Sequence, residues 1–234
     1  MLSLCTGYPL DEEMNHFFYI HGAGTNQRYS MSNLQMEQHA DADAGLVVSA
    51  RQGDLSAFEA LVVKHQKRML NIAFRIVGDY DDACEVTQDA FVSAYRNLRG
   101  FRQEAKFSTW LTSITVNLSK NRLKRLTIKQ HREPVSLDEP IRTADGEVMP
   151  DPPSNEPSVL DRMEKQDVKN KVQDCIGELE PDFREVLVLR DLQDFSYDEI
   201  GEMLKVAAGT VKSRLFRARE SVKECLKKAM GGFL

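Results

Sequence analysis

The chain has 234 residues, 41% of them hydrophobic, which is enough for packed cores and sets no more than one large or two small domains. No stretch approaches the ~20 consecutive apolar residues of a membrane helix, so no membrane insertion is expected. Asp11, Glu12 and Glu13 interrupt the only early apolar run, and no basic segment precedes it, which excludes a secretory signal. The four cysteines, Cys5, Cys84, Cys175 and Cys225, are far apart and lie in no C-x-x-C or His/Cys cluster. That spacing suggests neither zinc nor a redox pair. Cys84 and Cys175 read as small packing residues, and a cytoplasmic protein is expected.

Net charge is −5, which taken alone argues against a nucleic-acid partner, but its distribution reverses that reading. Arg102 to Arg132 holds eight Lys/Arg against one acid, and Lys205 to Lys228 eight more against two. Between them, residues 133–182 carry fourteen acids and five basic residues. Two basic patches across an acidic spacer suggest two contacts with one polyanion.

In chain order, residues 1–40 show no period and are expected to be a mobile tail, with Met31 or Met36 as the start of translation. A short helix is expected over 43–50. Asp54 then caps a helix carrying Phe58, Leu61, Val62, His65, Met69, Leu70, Ile72, Ala73 and Ile76, which Gly78 stops. A second helix runs from 79–82 to Leu98 and ends at Gly100. A polar loop over 101–108 leads to a third long helix, about 109–126, with an apolar face of Trp110, Leu111, Ile114, Leu118 and Leu123. Residues 133–158 hold six of the eight prolines and read as an extended linker. Helical patterning returns with Val168, Val172, Cys175, Ile176 and Leu179, ending near Pro181, then Phe183 to Leu192, Tyr197 to Leu204 and Thr210 to Ala229. No useful strand pattern appears. The fold class is all-α: two small helical domains, 41–132 and 159–234, joined by a flexible, acidic, Pro-rich linker.

Phe195 to Arg219 carries the most information. Ser196 with Glu199 three residues on forms a capping box for a short helix whose Ile200, Met203 and Leu204 face inward. Gly209 marks a tight turn, and Thr210 caps a second helix with Val211, Leu215 and Ala218 on its apolar side. Lys212, Ser213, Phe216, Arg217 and Arg219 are left on other faces. This is a helix-turn-helix pattern, whose second helix enters the major groove by its first turns. Lys and Arg there reach guanine edges, Ser and Thr reach phosphate or base, and Phe216 suits a thymine methyl.

The first basic patch interleaves cations with Phe101, Phe107 and Trp110. Unpaired bases need such stacking surfaces, although Trp110 and Phe107 equally suit a core. Asn117 and Asn121, four residues apart, share a helical face with Lys120 and Lys124 close by, and their amides can bond the edge of a flipped base. Asp79, Asp81, Asp82, Glu85 and Asp89 make the second helix acidic at its start, which ordinary helix-dipole matching explains.

Together these blocks resemble bacterial sigma factors of the extracytoplasmic-function (ECF) type, close to the RpoE-like group. Asp54-Leu-Ser-Ala-Phe-Glu-Ala-Leu-Val-Val-Lys-His and Glu85-Val-Thr-Gln-Asp-Ala-Phe-Val-Ser-Ala-Tyr-Arg look like that family's region two and its core-polymerase helix. Phe101-Arg-Gln-Glu-Ala-Lys-Phe-Ser-Thr-Trp-Leu and Val116-Asn-Leu-Ser-Lys-Asn-Arg-Leu look like its promoter-melting segment, and the helix-turn-helix looks like region four. The resemblance implies that Asp82, Glu85, Gln88 and Asp89 contact core RNA polymerase. It implies a minus-ten site of Phe107, Trp110, Asn117, Lys120, Asn121 and Arg122, with Asn117 holding a flipped base. It implies a minus-thirty-five site of Lys212, Ser213, Phe216 and Arg217, with Thr210 on phosphate. An anti-sigma factor is the further partner implied, promoter DNA the ligand, and no cofactor or metal is called for. A free-standing helix-turn-helix regulator is the alternative; no nucleophile–base pair, metal cluster or phosphate loop supports an enzyme.

Overall fold

In the computed structural model the described residues are 42–102, 105–132 and 159–231, with side chains described for 42–102, 105–128 and 166–231. The expected tail and linker lie outside them. The described residues form α-helices with short connections and no strand: α1 (Ala44–Arg51), α2 (Leu55–Val77), α3 (Tyr80–Asn97), α4 (Phe107–Arg132), α5 (Val159–Gly177), α6 (Pro181–Leu187), α7 (Tyr197–Leu204) and α8 (Ala208–Ala229). A 3-10 turn over Leu98–Gly100 follows α3, and a wider π-type turn over Val188–Leu192 follows α6.

The local signals that set the first helices act as the sequence predicts. The Asp54 carboxylate accepts from the amides of Ser56 and Ala57 at 3.0 and 3.3 Å, satisfying two donors at the start of α2. Gly78 takes φ 89° and its N–H bonds Phe74 O, which closes α2 in the left-handed region that glycine reaches without a Cβ clash. Buried Asp43 accepts from Lys64 Nζ at 2.5 Å and pairs with His65 Nε2 at 2.8 Å, pinning the start of α1 to the middle of α2. Burial works against the Asp43 charge, but these hydrogen bonds and the two neighbouring charges outweigh it and hold its carboxyl below the usual range.

Several boundaries differ from expectation, each for a physical reason. The loop before α4 is shorter, because Phe107 already starts the helix, and Phe101 is buried rather than part of a solvated loop. The fully buried face of α4 shares Leu111 with the predicted apolar one but is otherwise different. It combines Phe107, Leu111 and Val116 with Thr109, Thr112, Thr115 and Ser119, while Trp110, Ile114, Leu118 and Leu123 are only half-buried. The hydroxyls of Thr115 and Ser119 bond back to Leu111 O and Thr115 O, which satisfies these two buried donors, while the buried Thr112 hydroxyl has no partner among the described residues. Pro181, expected near a helix end, opens α6 at a position where its missing N–H costs nothing. Cys175 is not a lone packing residue: it is disulfide-bonded to Cys225, 50 residues away, joining α5 to α8.

The two helical halves are not independent. One continuous apolar cluster runs from Leu61, Met69 and Ile72 through Val172 and Ile176 to Val186, Leu187 and Leu189. Polar contacts frame it. Arg184 donates through Nη1 to Ile76 O at 2.5 Å and through Nη2 to Gly177 O and Leu179 O. Arg75 donates to Gln173 Oε1 at 2.7 Å. Arg68 donates to Gln193 Oε1 and O at 2.8 and 3.0 Å and lies 4.7 Å over the Phe195 ring.

The helix-turn-helix turn is built on Gly201 rather than Gly209. Lys205 takes the left-handed conformation (φ 56°), its N–H bonding Gly201 O, and a Cβ on Gly201 would lie 2.8 Å from Val206 O. Gly209 lies inside α8 with open space around its Cα. Gly201→Ala is therefore expected to destabilise the fold by about 1–3 kcal/mol, because main chain must shift to make room. Gly209→Ala is expected to be neutral or stabilising by up to about 1 kcal/mol. Urea denaturation followed by circular dichroism checks both.

Candidate nucleic-acid interface

The second basic patch forms a clean surface. Ser196 and Glu199 make the predicted reciprocal capping box, with Ser196 Oγ accepting from Glu199 N and Glu199 Oε2 accepting from Ser196 N at 2.8 Å. Ile200 and Met203 are buried against Val211, Leu215 and Ala218 of α8. α8 starts two residues earlier than expected, with Ala207 at its N-cap and no side-chain cap, so Thr210 sits in the first turn instead of capping it. Lys212, Ser213, Phe216 and Arg217 are all exposed on one side, and Phe216 shows 68% of its surface to solvent. Lys212 Nζ lies 5.4 Å from the Tyr197 ring centre. Behind this face Arg219 holds Asp191 with a two-pronged bond (2.9 and 2.5 Å), and Arg214 pairs with Asp182 at 2.5 Å. These pairs fix α8 on α6 and the π-type turn, leaving its first turns protruding.

The first patch is arranged differently. Phe107, predicted to stack on a base, is fully buried among His65, Phe101 and Trp110, so it serves the core and is removed from the predicted site. Half-buried Trp110 stacks on Phe101 at 4.6 Å between centroids. Asn117 and Asn121 are exposed on α4. Lys120 pairs across the halves with the fully buried Glu185 of α6, at 3.2 and 3.1 Å. Arg122 bonds Asp82, and its Nη1 is 3.0 Å from Glu85 Oε2 on α3, so it joins the predicted minus-ten face to the predicted polymerase face. On α3, Glu85, Gln88 and Asp89 are exposed along one stripe, and Asp82 is half-buried under Arg122. Among the described residues no group of His, Cys, Asp and Glu could hold a metal.

Sequence reasoning missed Arg68, Arg75, Arg184, Glu185 and Gln193. Each is a polar residue on a helix or turn with at least one partner far off in the chain, 98 to 125 positions away for the three arginines and Gln193 and 65 away for Glu185. No local pattern signals them.

With this geometry in hand, the comparisons with known proteins are specific. Residues 61–127 match the family described as Sigma-70 region 2, and residues 169–222 match Sigma-70, region 4. The chain is 34% identical over 190 residues to the RNA polymerase sigma-H factor of Pseudomonas aeruginosa, covering 80% of this chain and 94% of the relative. It is 35% identical over 184 residues to the ECF RNA polymerase sigma-E factor of Escherichia coli K12, covering 77% and 92%. Among solved structures, CnrH in complex with the cytosolic domain of CnrY aligns with a TM-score of 0.57 at 24% identity, over 80% of this chain and 99% of that one. The sigma factor RpoE of Bartonella quintana, solved with the anti-sigma factor NepR, aligns at 0.56 and 21%, over 74% and 98%. At these identities the two structures attest the fold. The chain belongs to the sigma-70 family, with a region two on α2–α4 and a region four on α5–α8. Within that family it is an ECF-type, RpoE-like RNA polymerase sigma factor, acting in promoter recognition and opening at transcription initiation.

Burial raises the Glu185 carboxyl above its ordinary pKa, and Lys120 offsets this only in part. Because the folded-state pKa exceeds the unfolded one, the folded chain holds a proton that the unfolded chain has already released. Glu185 therefore adds stability as pH falls from its folded pKa toward the ordinary carboxylate range, and costs stability on the plateau above. Glu185→Gln is expected to raise stability on that plateau by about 1 kcal/mol and to flatten the slope below it. Denaturation midpoints across a pH series measure both.

Proposed function

We propose that the two faces divide the work of promoter recognition as follows. The exposed side of α8 reads the minus-thirty-five element: Lys212, Ser213, Phe216 and Arg217 meet bases and phosphates in the major groove, and Thr210 meets the adjoining phosphate. The exposed side of α4 takes the opened minus-ten strand. Asn117 bonds the edge of a flipped base, with Lys120, Asn121 and Arg122 along the backbone and Trp110 at the margin. The α3 stripe of Asp82, Glu85, Gln88 and Asp89 docks on core RNA polymerase, which carries out RNA synthesis; this chain supplies no catalysis of its own. The protein works in the cytoplasm, where polymerase and promoter are, and an anti-sigma factor restrains it, a partner supported by the neighbouring folds solved with such factors.

The observation that carries this reading is the exposed helix-turn-helix face of α8, joined in one chain to a region-two match whose basic helix α4 presents its amides outward. Run-off transcription with core RNA polymerase and a library of promoter fragments tests it. Initiation that depends on this protein, at fragments sharing two spaced motifs, is the expected result. A gel shift on duplex DNA that needs no core polymerase would favour a free-standing regulator instead.

Arg217→Ala is expected to weaken promoter use by about 1–3 kcal/mol, selectively at one position of the upstream motif; equal loss on every sequence would make Arg217 a phosphate contact. Asn117→Ala is expected to leave core binding intact and to slow opening of duplex promoters. Run-off from a duplex template compared with a pre-melted one separates these effects.

A further inference from the structure

Cys175 and Cys225 take part in no contact to DNA or polymerase proposed above, yet they are covalently joined, with Cα atoms 5.7 Å apart. We propose that this pair is a reversible thiol–disulfide switch on region four, closed by hydroperoxides and opened by dithiols. The inference rests on the cytoplasmic, DNA-bound role just argued. In that reducing compartment a disulfide does not persist as a static staple, and those that form are transient and redox-responsive.

The environment of the two sulfurs differs in the way a switch requires. Cys175 is 2% exposed, inside the core on α5, while Cys225 is only half-buried near the end of α8. Cys225 is the sulfur a solution reagent meets, and Cys175 the one that resolves it. In the oxidising direction the Cys225 thiolate attacks a hydroperoxide, breaking its O–O bond to give a sulfenic acid and one molecule of water or alcohol. The Cys175 thiol then displaces water from that sulfenic acid, forming the S–S bond. In the reducing direction one thiol of a dithiol attacks Cys225 and releases Cys175 as a thiol. The second thiol of the reductant closes its own disulfide and frees Cys225.

The bond sits where it has consequences. It ties the helix that carries the exposed recognition residues to α5, whose Gln173 accepts from Arg75 of region two. It also closes a loop of 50 residues that includes α6, the π-type turn and the whole helix-turn-helix, which restricts the unfolded chain strongly. Oxidation therefore holds region four together under conditions where the reduced domain loosens.

The full chain tests this with two readouts. In cells, thiols are blocked at lysis before and after a hydroperoxide pulse, and the Cys175–Cys225 cross-linked peptide is quantified by mass spectrometry. The expected result is a small cross-linked fraction that rises several-fold and falls again on recovery. A fraction that is high and unchanged, or absent throughout, overturns the proposal. In vitro, reduction is expected to lower the melting temperature by roughly 10 °C. Cys84 is disulfide-bonded as well, so the part belonging to this pair is the part missing in Cys225→Ser. Run-off transcription by the oxidised protein should survive to higher temperature than by the reduced protein, and Cys225→Ser should remove that difference. Equal thermal limits for oxidised and reduced wild type overturn the proposal. If the chain supports no transcription at all, the sigma-factor roles fail, and peptide mapping and melting still decide the switch.

Discussion

Arg184 is 8% exposed, and its hydrogen bonds go to main-chain carbonyls: Ile76 in the last turn of α2, Gly177 at the end of α5, and Leu179 just beyond it. A helix C-terminus leaves carbonyls without partners and gathers partial negative charge. Two such ends converge on one guanidinium, whose planar fork of donors can serve several carbonyls at once. Burial disfavours the charge and lowers the pKa of Arg184, so the carbonyls are what keep a buried cation tolerable. One of them belongs to region two and the others to region four. This side chain therefore closes two helices and fixes the angle at which the halves share their core.

The other contacts across the halves make sense around that anchor. Arg68 and Arg75 approach from the same helix, α2, and each donates to a glutamine of the other half. Lys120 with Glu185 is a contact of another kind, a buried carboxylate met by a cation that is over a third exposed. Its attraction is diluted by water on one side while the desolvation cost falls in full on the other. Guanidinium–carbonyl and guanidinium–amide bonds frame the apolar seam of the joint, and this ion pair adds orientation more than strength.

The parts of the fold legible in the sequence are those encoded within one turn of chain. Asp54, Gly78 and the Ser196–Glu199 box act through neighbours two to four residues away, and each was predictable from its type and spacing. The family blocks were legible because their order along the chain is itself information. What escaped prediction depends on distance or on satisfied polarity. The core face of α4 is carried largely by threonines and a serine, with Thr115 and Ser119 bonding their own helix, so a hydropathy pattern finds Leu111 on that face but adds Trp110 and Ile114 in place of the hydroxyl residues. The turn of the helix-turn-helix depends on the close approach of Val206 O to Gly201, so the glycine that mattered lay eight residues before the one that looked like a turn. The Cys175–Cys225 bond spans 50 residues, and neither cysteine has a local motif. Phe107 was misassigned because an aromatic beside cations reads the same in a stacking site and in a core edge.

The two proposed DNA-facing surfaces also differ in what stands between them and a ligand. On α8 the side chains offered to the major groove are already exposed, and Phe216 presents apolar surface that water covers poorly, so binding there needs little rearrangement. On α4, Lys120 and Arg122 are held by Glu185, Asp82 and Glu85. Replacing a carboxylate with a phosphate on the same cation gains little Coulomb energy. Freeing Lys120 also leaves Glu185 buried without its cation, unless the carboxyl takes a proton or the halves part. Upstream recognition by α8 can accordingly proceed from the packed arrangement, whereas use of the α4 cations requires Lys120 to give up its contact across the halves and Arg122 its contacts with α3.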